Sequence, residues 1–233
     1  MSVRNRIYLK RNLPEKEILQ EFEQFSTANV ADCMNRLCAM SPRIKLVSKP
    51  SAKSVCAPAY TVKVRAGDNL ALHVALTYCN EGDMIVVSNE EESNRALIGE
   101  IMMTFLRCTK KVAGIVIDGP IRDIAELGQW DFPIYCTGTT PNGPFKDGPG
   151  EVNVPISCGG VVVEAGDIIL ADADGVVVIP LKEANKVLPL VKEYAKKDQE
   201  KVIAARNGLA KRDWVNKLMV EKDFEIIDDV YKG

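Results

Sequence analysis

Short runs of consecutive apolar residues alternate along this chain with longer stretches whose apolar residues recur every three or four positions. A run of β-branched residues bounded by Gly, Pro or Asp is typical of a buried strand, and the longer spacing is typical of an amphipathic helix. The runs predict strands at residues 59–64, 84–87, 114–117, 132–137, 152–156, 160–164, 167–171 and 176–180. The spacing predicts helices at residues 14–25, 95–110, 123–127, 182–206 and 211–219, with two more after the caps Ser26 and Asp68.

The order of these elements indicates the fold class. Strands outnumber helices through the middle of the chain and helices stand at both ends, which predicts an α/β fold with one α/β/α domain and a mixed sheet, without a regular alternation of strand and helix. We expect an N-terminal arm and helix at residues 1–25, the main domain at residues 26–200, and a helical tail at residues 201–233 packed on that domain or on a neighbouring subunit. The Gly- and Pro-rich residues 138–152 predict a long loop, of the kind that is functional, disordered or part of an assembly surface.

Composition narrows the function classes. The 233 residues are 46% hydrophobic and 27% charged with a net charge of −2, so one sizeable core is expected, and no basic stripe indicates a nucleic-acid partner. No apolar run approaches membrane-spanning length and the basic N-terminus has no apolar targeting segment behind it, so we expect a cytoplasmic protein without membrane association. The seven cysteines contain no C-x-x-C pair and predict reduced, buried thiols.

The most informative stretch ends in an arginine and an aspartate, Arg122 and Asp123, placed where the predicted strand at residues 114–117 runs out into a loop. Arg offers a fixed fork of donors for a carboxylate or a developing oxyanion, and Asp offers a hard oxygen for Mg²⁺ or Mn²⁺. A structural ion pair is the alternative. His73 is the one histidine, which excludes a multi-histidine metal site, and we interpret it as a core or interface residue.

A second element of the candidate site is Gly99 with Glu100. If a helix begins here, the backbone N–H groups of residues 99–102 form an anion site, and Gly lets a ligand approach closely. The alternative is a small residue inside a helix that starts earlier.

A third element is the spacing of Asp123 and Glu126. On a helix that begins near residue 122 they share a face, and together with Arg122 they could hold one divalent ion and one α-keto acid. The alternative is a solvated helix start, where Asp and Glu are both favoured.

Two other patterns carry less chemistry. Asp172-Ala-Asp174-Gly175 resembles half of a calcium loop but lacks the remaining ligands, so a turn is the better interpretation. No Gly-rich phosphate loop is present in the sequence, which argues against nucleotide, NAD or Rossmann-type methyl-donor chemistry.

A series of short motifs carries a resemblance over roughly residues 25 to 200. They are Ser26-Thr-Ala-Asn-Val-Ala-Asp32, Ala59-Tyr-Thr-Val62, Gly67-Asp-Asn69, Glu81-Gly-Asp83, Gly99-Glu100, Val112-Ala-Gly-Ile-Val-Ile-Asp-Gly-Pro-Ile-Arg-Asp123, Asn153-Val-Pro155, Ala165-Gly-Asp167 and Asp174-Gly-Val-Val-Val-Ile-Pro180. In this order they resemble the class II 4-hydroxy-4-methyl-2-oxoglutarate/4-carboxy-4-hydroxy-2-oxoadipate aldolases, which share their fold with the regulator of ribonuclease activity A proteins. No single motif is specific; the order carries the resemblance.

The resemblance implies a compact α/β/α domain with a barrel-like central sheet and a homotrimer or homohexamer with active sites between subunits. It implies Mg²⁺- or Mn²⁺-dependent retro-aldol cleavage of a 4-hydroxy-2-oxo acid to pyruvate and a second oxo acid, with oxaloacetate decarboxylase side activity. The enolate left by bond cleavage needs a metal and positioned charges, and no lysine Schiff base.

By position, the resemblance also implies roles for particular residues. Arg122 matches the arginine that binds the keto acid and stabilises the enolate, Asp123 matches the direct metal ligand, and Glu126 matches an acid seen in active aldolases. Residues Gly99, Glu100, Ile101 and Met102 match the segment that holds the pyruvyl carboxylate.

Three further positions follow from the same comparison. Glu100 matches a residue that contacts the metal through water, and Asp198 or Glu200 matches an acid from a neighbouring subunit. The stretch from Glu100 to Arg122 is one residue longer than is usual in the family, and an extra residue at the helix end, within residues 107–111, would absorb the difference.

Two other functions remain as alternatives. One is a ribonuclease-binding regulator of the same fold without chemistry of its own, which the intact Arg122, Asp123 and Glu126 argue against. The other is methyl transfer, which the missing nucleotide loop argues against.

Overall fold

The computed structural model describes residues 5–231, which divide into two units. The first ends at Lys192 and contains all of the sheet; the second begins at Glu193 and is helical. The predicted boundaries at residues 25 and 200 stay predictions. Within residues 5–231, no helix is both long enough and apolar enough to cross a membrane.

The elements are numbered in chain order. The helices are α1 (Lys16–Phe22), α2 (Thr27–Cys33), α3 (Leu70–Tyr78), α4 (Glu100–Thr104), α5 (Ile124–Leu127), α6 (Ala184–Arg206) and α7 (Asp213–Glu221). The strands are β1 (Arg6–Ile7), β2 (Lys45–Leu46), β3 (Ser54–Val64), β4 (Met84–Ser88), β5 (Gly114–Asp118), β6 (Pro120–Ile121), β7 (Ile134–Cys136), β8 (Gly138–Thr139), β9 (Gly150–Val152), β10 (Ile156–Cys158), β11 (Val161–Val163), β12 (Ile168–Asp172) and β13 (Gly175–Ile179). A π-helix (Phe105–Lys110) continues α4, and a 3₁₀ turn (Leu181–Glu183) leads into α6.

The centre of the sheet is parallel. Strands β3, β4, β5 and β7 lie side by side in that order, and α3, α4 and α5 connect successive pairs. The expectation that strand and helix do not alternate regularly is therefore wrong for this part of the chain, because the helix-forming segments between the strands are the crossovers that parallel pairing requires. The carboxyl ends of these strands share one edge of the sheet, where sites of α/β proteins commonly lie.

Antiparallel strands extend this centre into the predicted mixed sheet. Strand β9 pairs with the end of β3, β12 pairs with its beginning, and β13 pairs with β12. The N-terminal β1 adds a parallel edge next to β9, and β2 closes the other edge on β7. The α/β fold class with a central mixed sheet is thus confirmed.

Side chains of the central strands alternate between two buried clusters. Ile85 and Val87 of β4 lie in one cluster with α3 and the α4 segment, whereas Met84 and Val86 lie in the other with β10, β12 and β13. Both faces of the strand are covered, which explains its uninterrupted apolar run. A third cluster packs α1, α2 and the start of α6 on β12 and β13.

Three predicted boundaries change in the structure. Strand β3 starts at Ser54, earlier than predicted, because pairing with β12 holds residues around Pro58 extended. The predicted strand at residues 152–156 is broken at Asn153, which has a positive φ of 56°. The helix predicted at residues 95–110 begins only at Glu100 and ends in the π-helix.

The cysteines are mostly inside. Four of the seven are buried, Cys33 and Cys56 are half-buried, and Cys108 is exposed on the π-helix. The exposed Cys108 differs from the expectation of buried thiols.

Candidate active site

The candidate site lies beyond the carboxyl end of β5. After Asp118 the chain forms the short strand β6, which pairs with β8, and then reaches Arg122 and Asp123. The backbone N–H of Arg122 donates to the carbonyl of Ile98 at 3.1 Å, and the N–H of Leu97 donates to that of Pro120 at 3.2 Å. These two bonds lay the segment before α4 directly beside the Arg–Asp pair.

The carboxylate of Asp123 caps the helix that begins at Glu100. Asp123 Oδ2 accepts a hydrogen bond of 2.9 Å from the Glu100 N–H, one of the four amides that a helix start leaves free. Asp123 itself has a φ of 61°, in the left-handed region that few residues other than Gly occupy. Such backbone strain is often found at functional sites, and here it directs the Asp123 carboxylate at the helix start.

Gly99 is the position that permits this contact. A Cβ at Gly99 would lie 2.3 Å from Asp123 Oδ2 and 2.9 Å from Arg122 Nε. Of the two interpretations of Gly99, the helix start is confirmed, and the helix that begins earlier is wrong. The glycine is needed because a helix terminus, a guanidinium and a carboxylate converge there.

The two charged side chains form an open pair. Arg122 Nε lies 3.7 Å from Asp123 Oδ2, and the side chains are 46% and 43% exposed. At that distance and exposure the attraction contributes little to stability. Asp123 Oδ1 accepts no hydrogen bond from any residue in the range 5–231. Both charges therefore stay available to a ligand.

The pair borders a cleft of about 170 Å³. Its floor consists of buried residues, and its rim consists of more exposed ones. The floor residues are Asn69, Ala96, Leu97, Ile98 and Gly99, and the rim residues are His73, Ile101, Met102, Arg122, Asp123, Pro144 and Lys146. A small anion would meet two cationic side chains and a helix start here.

The structure brings most of the predicted site residues together. Arg122, Asp123, Gly99, Ile101 and Met102 line the cleft. Ile101 is 85% exposed.

Other predicted residues do not enter the cleft lining. The exposed Glu100 contacts Asp123 through its backbone N–H. Glu126 follows Asp123 on α5, but its Oε1 accepts a hydrogen bond of 3.1 Å from Trp130 Nε1. Asp198 and Glu200 lie on α6 within the second unit. The roles assigned to these side chains stay predictions.

The sequence indicated the loop at residues 138–152, but it did not indicate the part of the cleft supplied by α3. His73 is exposed on the rim of the cleft, so it is not a core histidine, and the alternative of an interface position stays a prediction. Loss of solvent, and next the charge of Lys146, hold the pKa of His73 below its ordinary value. One sequence feature could have indicated this side of the cleft. Asn69 stands at a helix start four positions before His73, and this spacing places both residues on one side of α3.

A set of contacts fixes the wall at residues 142–148. Asp68 Oδ2 accepts hydrogen bonds from the N–H groups of Asp147 and Gly148 at 2.7 and 2.9 Å. Two guanidinium groups lie over the Phe145 ring, that of Arg95 at 3.9 Å and that of Arg65 at 5.6 Å from its centre. The segment is a loop, as the sequence indicated, and these contacts attach it to Asp68 and to two arginines.

The donor set suits a hard divalent cation. Within the described part of the chain, no three His, Cys, Asp or Glu side chains come together to hold a metal ion, so a closed protein cage does not fit. Mg²⁺ keeps several waters and takes one or two carboxylates together with oxygens of the substrate. The open Asp123 carboxylate meets that requirement.

The helix in the segment between Glu100 and Arg122 has an irregular end. The helix that begins at Glu100 turns into a π-helix at Phe105–Lys110, and Lys111 then adopts a left-handed conformation. This irregular turn lies at the far end of the helix from Gly99 and includes residues 107–110 of the predicted insertion region. The extra residue itself stays a prediction.

The fold and the cleft define an α/β protein with a polar cleft at the carboxyl ends of the parallel strands of its mixed sheet. The model of the RraA-like family, described as Aldolase/RraA, matches residues 27–178. The chain belongs to this family, as the motifs indicated.

Particular relatives agree with this assignment. The chain is 36% identical over 206 residues to a Halalkalibacterium halodurans protein named "Putative 4-hydroxy-4-methyl-2-oxoglutarate aldolase", covering 88% of this chain and 97% of the relative. Streptomyces coelicolor RraAS2, described as an unusual member of the RNase ES inhibitor RraA protein family, superposes on this chain with a TM-score of 0.73 at 26% identity. The match covers 82% of this chain and 98% of that structure. The RNA-processing inhibitor RraA of a Thermus species superposes with a TM-score of 0.59 at 27% identity. This match covers 67% of this chain and 93% of that structure.

Proposed function

We propose that this protein is a metal-dependent pyruvate aldolase that cleaves a 4-hydroxy-2-oxo acid to pyruvate and a second oxo acid. The observation that carries the proposal is the convergence of Arg122, Asp123 and the helix start at Glu100 around one cleft. The aldolase name of the Halalkalibacterium halodurans relative supports a carbon–carbon lyase.

The chain's own groups match the charges of a 2-oxo acid. Backbone N–H groups at the start of α4, on Ile101 and Met102, bind the C1 carboxylate, because a helix N-terminus favours an anion. The Arg122 guanidinium donates to the C2 keto oxygen, where negative charge develops.

Bond cleavage then follows a retro-aldol course. The C4 hydroxyl loses its proton, the C4–O bond becomes a carbonyl, and the electron pair of the C3–C4 bond passes into the pyruvate enolate. Arg122 stabilises the enolate oxygen, and protonation at C3 releases pyruvate. Oxaloacetate decarboxylation forms the same enolate with loss of CO₂, so one site serves both reactions. Glu126 stays a candidate for the proton transfers of this sequence, by its position after Asp123.

Asp123 is the residue we assign to a divalent cation, Mg²⁺ or Mn²⁺, with Glu100 contributing through water. When bound, such an ion polarises the keto group and neutralises charge on the enolate. We further propose a homotrimer or homohexamer in which Asp198 or Glu200 reaches a neighbouring subunit's site.

Pyruvate release tests the function. A panel of 4-hydroxy-2-oxo acids and oxaloacetate is assayed with Mg²⁺, with Mn²⁺ and with excess chelator. We expect pyruvate with either metal, loss of activity in chelator, and recovery when metal is restored. A thermal-shift series provides a second readout: Mn²⁺ raises the melting temperature of the wild type and not of Asp123→Ala. Full activity in excess chelator would contradict the metal assignment.

A ribonuclease-binding regulator is the second candidate, favoured by the RraA descriptions of the two superposed structures. The same panel separates the two functions, because a regulator without chemistry releases no pyruvate from any substrate with either metal.

A further inference from the structure

We infer that His73 is the general base of the aldol cleavage and that its imidazole takes the proton from the C4 hydroxyl of the substrate. The inference rests on the proposed function and deepens it, because retro-aldol cleavage needs a base at C4 and Glu126 lies outside the cleft lining. His73 is the one histidine of the chain.

The first turn of α3 sets the position of His73. Its backbone N–H donates to the Asn69 carbonyl at 2.9 Å, and the Asn69 side chain donates to the Leu97 carbonyl on the cleft floor at 2.7 Å. Residues four apart on a helix lie on one face, with their Cβ atoms about 5–6 Å apart. His73 therefore stands one helical turn from the floor contact, and it lines the same cleft as Arg122 and Asp123.

The imidazole is free to take a proton. His73 is exposed on the rim, and its side chain forms no hydrogen bond with any residue from 5 to 231. Loss of solvent, and next the positive charge of Lys146, disfavour the imidazolium and hold the pKa of His73 below its ordinary value. The ring is therefore neutral at pH 7, and one of its two nitrogens has a lone pair that can accept a proton.

The other titratable side chains of the site are committed elsewhere. Arg122 and Lys146 are protonated at neutral pH. Asp123 uses one carboxylate oxygen to cap α4 and leaves the other for the cation. Glu126 accepts a hydrogen bond from Trp130 outside the cleft lining. Among the cleft-lining residues, this leaves His73 as the proton acceptor.

The substrate pose of the proposed function brings C4 to this side of the cleft. The C1 carboxylate binds at the start of α4 and the C2 oxygen binds Arg122, so C3 and C4 extend along the remaining rim. That part of the rim consists of His73, Pro144 and Lys146. Because the cleft measures only about 170 Å³, C4 stays close to the imidazole.

The proton transfers of the aldol reaction balance with this one group. The imidazole takes the C4 hydroxyl proton as the C4–O bond becomes a carbonyl and the C3–C4 electron pair enters the enolate. The imidazolium then gives that proton to C3, which completes pyruvate and restores the neutral ring. In oxaloacetate decarboxylation the leaving CO₂ carries no proton to remove, so cleavage needs no base and C3 takes its proton from solvent.

The first test compares the two reactions in matched variants. Values of kcat are measured for the best 4-hydroxy-2-oxo acid of the substrate panel and for oxaloacetate, in wild type, His73→Ala, His73→Gln and Thr77→Ala, with thermal unfolding as the folding check. We expect both His73 variants to lower the aldol kcat about 10²-fold, while the oxaloacetate kcat stays within about fivefold. Thr77→Ala should leave both values unchanged, because Thr77 is exposed one turn further along α3 and lies outside the cleft lining.

The second test uses pH to separate proton transfer from a structural role. In wild type, kcat/KM for aldol cleavage should fall as pH drops through the pKa of His73, below about 6.5, because the imidazolium cannot act as a base. The oxaloacetate reaction should lack this fall. Lys146→Met removes a charge that disfavours the imidazolium, so the fall should move to higher pH.

Several results would overturn the inference. They are equal losses of kcat in both reactions, a fall at the same pH in both reactions, and full aldol activity in His73→Gln, which keeps a polar side chain but accepts no proton. If His73→Ala does not fold, His73→Gln and the Lys146→Met pH profile decide. Failure of the proposed function looks different, because the wild type would then release no pyruvate from any 4-hydroxy-2-oxo acid of the panel.

Discussion

Two arginine–aspartate pairs lie close together in this chain and differ in almost every physical respect. Arg43 binds Asp118 with two guanidinium nitrogens, at 2.7 and 2.8 Å, and the Asp118 side chain is 5% exposed. Asp118 also accepts from the Gly159 N–H at 2.9 Å. Arg122 and Asp123 are nearly half exposed and 3.7 Å apart. In the first pair Arg43 donates a hydrogen bond to Asp118 Oδ2 and makes an ionic contact with Oδ1, and the Asp118 side chain is buried, so we interpret this closed pair as structural. The second pair keeps its hydrogen-bonding capacity for a ligand.

The strongest way to test this difference is to remove Arg122. We expect Arg122→Ala to lower kcat/KM for pyruvate release at least ~10²-fold, as for the loss of one oxyanion donor. Because the side chain is exposed, the free energy of unfolding should change by less than about 0.5 kcal/mol. Steady-state assays and urea unfolding measure both quantities. Wild-type activity in Arg122→Ala would remove the basis for the mechanism. Arg122→Lys serves as the control, because it keeps the positive charge without the forked donors of the guanidinium group.

The reverse pattern is expected for the closed pair. Asp118→Ala leaves Arg43 with the exposed Glu91 as its remaining ionic partner and leaves the Gly159 N–H unmatched. We expect a loss of about 2–3 kcal/mol in unfolding free energy, below the range for a fully buried pair because Arg43 is partly exposed. The kcat of the folded fraction should stay near wild type. A variant as stable as wild type would show that the pair is not structural.

The glycines beside the two pairs sharpen the comparison. Gly99→Ala places a Cβ against Asp123 Oδ2 and displaces that carboxylate from the Glu100 N–H. We expect about a tenfold loss of kcat/KM. The unfolding free energy should fall by about 1 kcal/mol, because the Cβ would also lie 2.8 Å from Arg122 Cγ, which is not a flexible chain end. Gly159→Ala combines a positive φ of 58° with contacts of 2.7 Å to Met40 and 2.9 Å to Ile44. It should cost about 1–3 kcal/mol in unfolding free energy and leave activity per folded molecule unchanged.

The smallest expected effect concerns pH and the wall at residues 142–148. Burial alone would raise the pKa of Asp68, but the N–H groups of Leu70, Asp147 and Gly148 hold it below the ordinary value. A carboxyl whose folded-state pKa is lowered contributes stability above its unfolded pKa of about 4, and this contribution disappears as pH falls through the folded value. Asp68→Asn should therefore cost about 1 kcal/mol at pH 7 and progressively less below about pH 4. Urea unfolding across this range measures the difference, and a constant penalty at all pH values would contradict the assignment.

Much of the fold and part of the site followed from local pattern. The buried strands around residues 84–88 and 114–118 were predicted because both of their faces are covered, which gives an uninterrupted apolar run. The cap of α2 was also predicted, and Ser26 Oγ accepts from the Asn29 N–H. The Arg122–Asp123 pair was found because it follows such a strand and because its motif resembles the family's.

Other features depend on contacts between residues far apart in sequence, and no local pattern could show them. Arg11 forms an almost fully buried ion pair with Asp83 beneath the Tyr60 ring, an arrangement that only folding creates. The start of β3 depends in the same way on its pairing with β12.

By itself, the sequence determined the fold class, the family and the positions of the charged groups, because apolar periodicity, turn residues and motif order are local properties. It left open where the helix near Gly99 begins. The tertiary structure decided that, because the Asp123 carboxylate meets the Glu100 amide across 23 positions of sequence. It also decided which Arg–Asp pair is open and which residues of α3 and of the wall at residues 142–148 complete the cleft, because exposure and hydrogen-bond partners are set by packing.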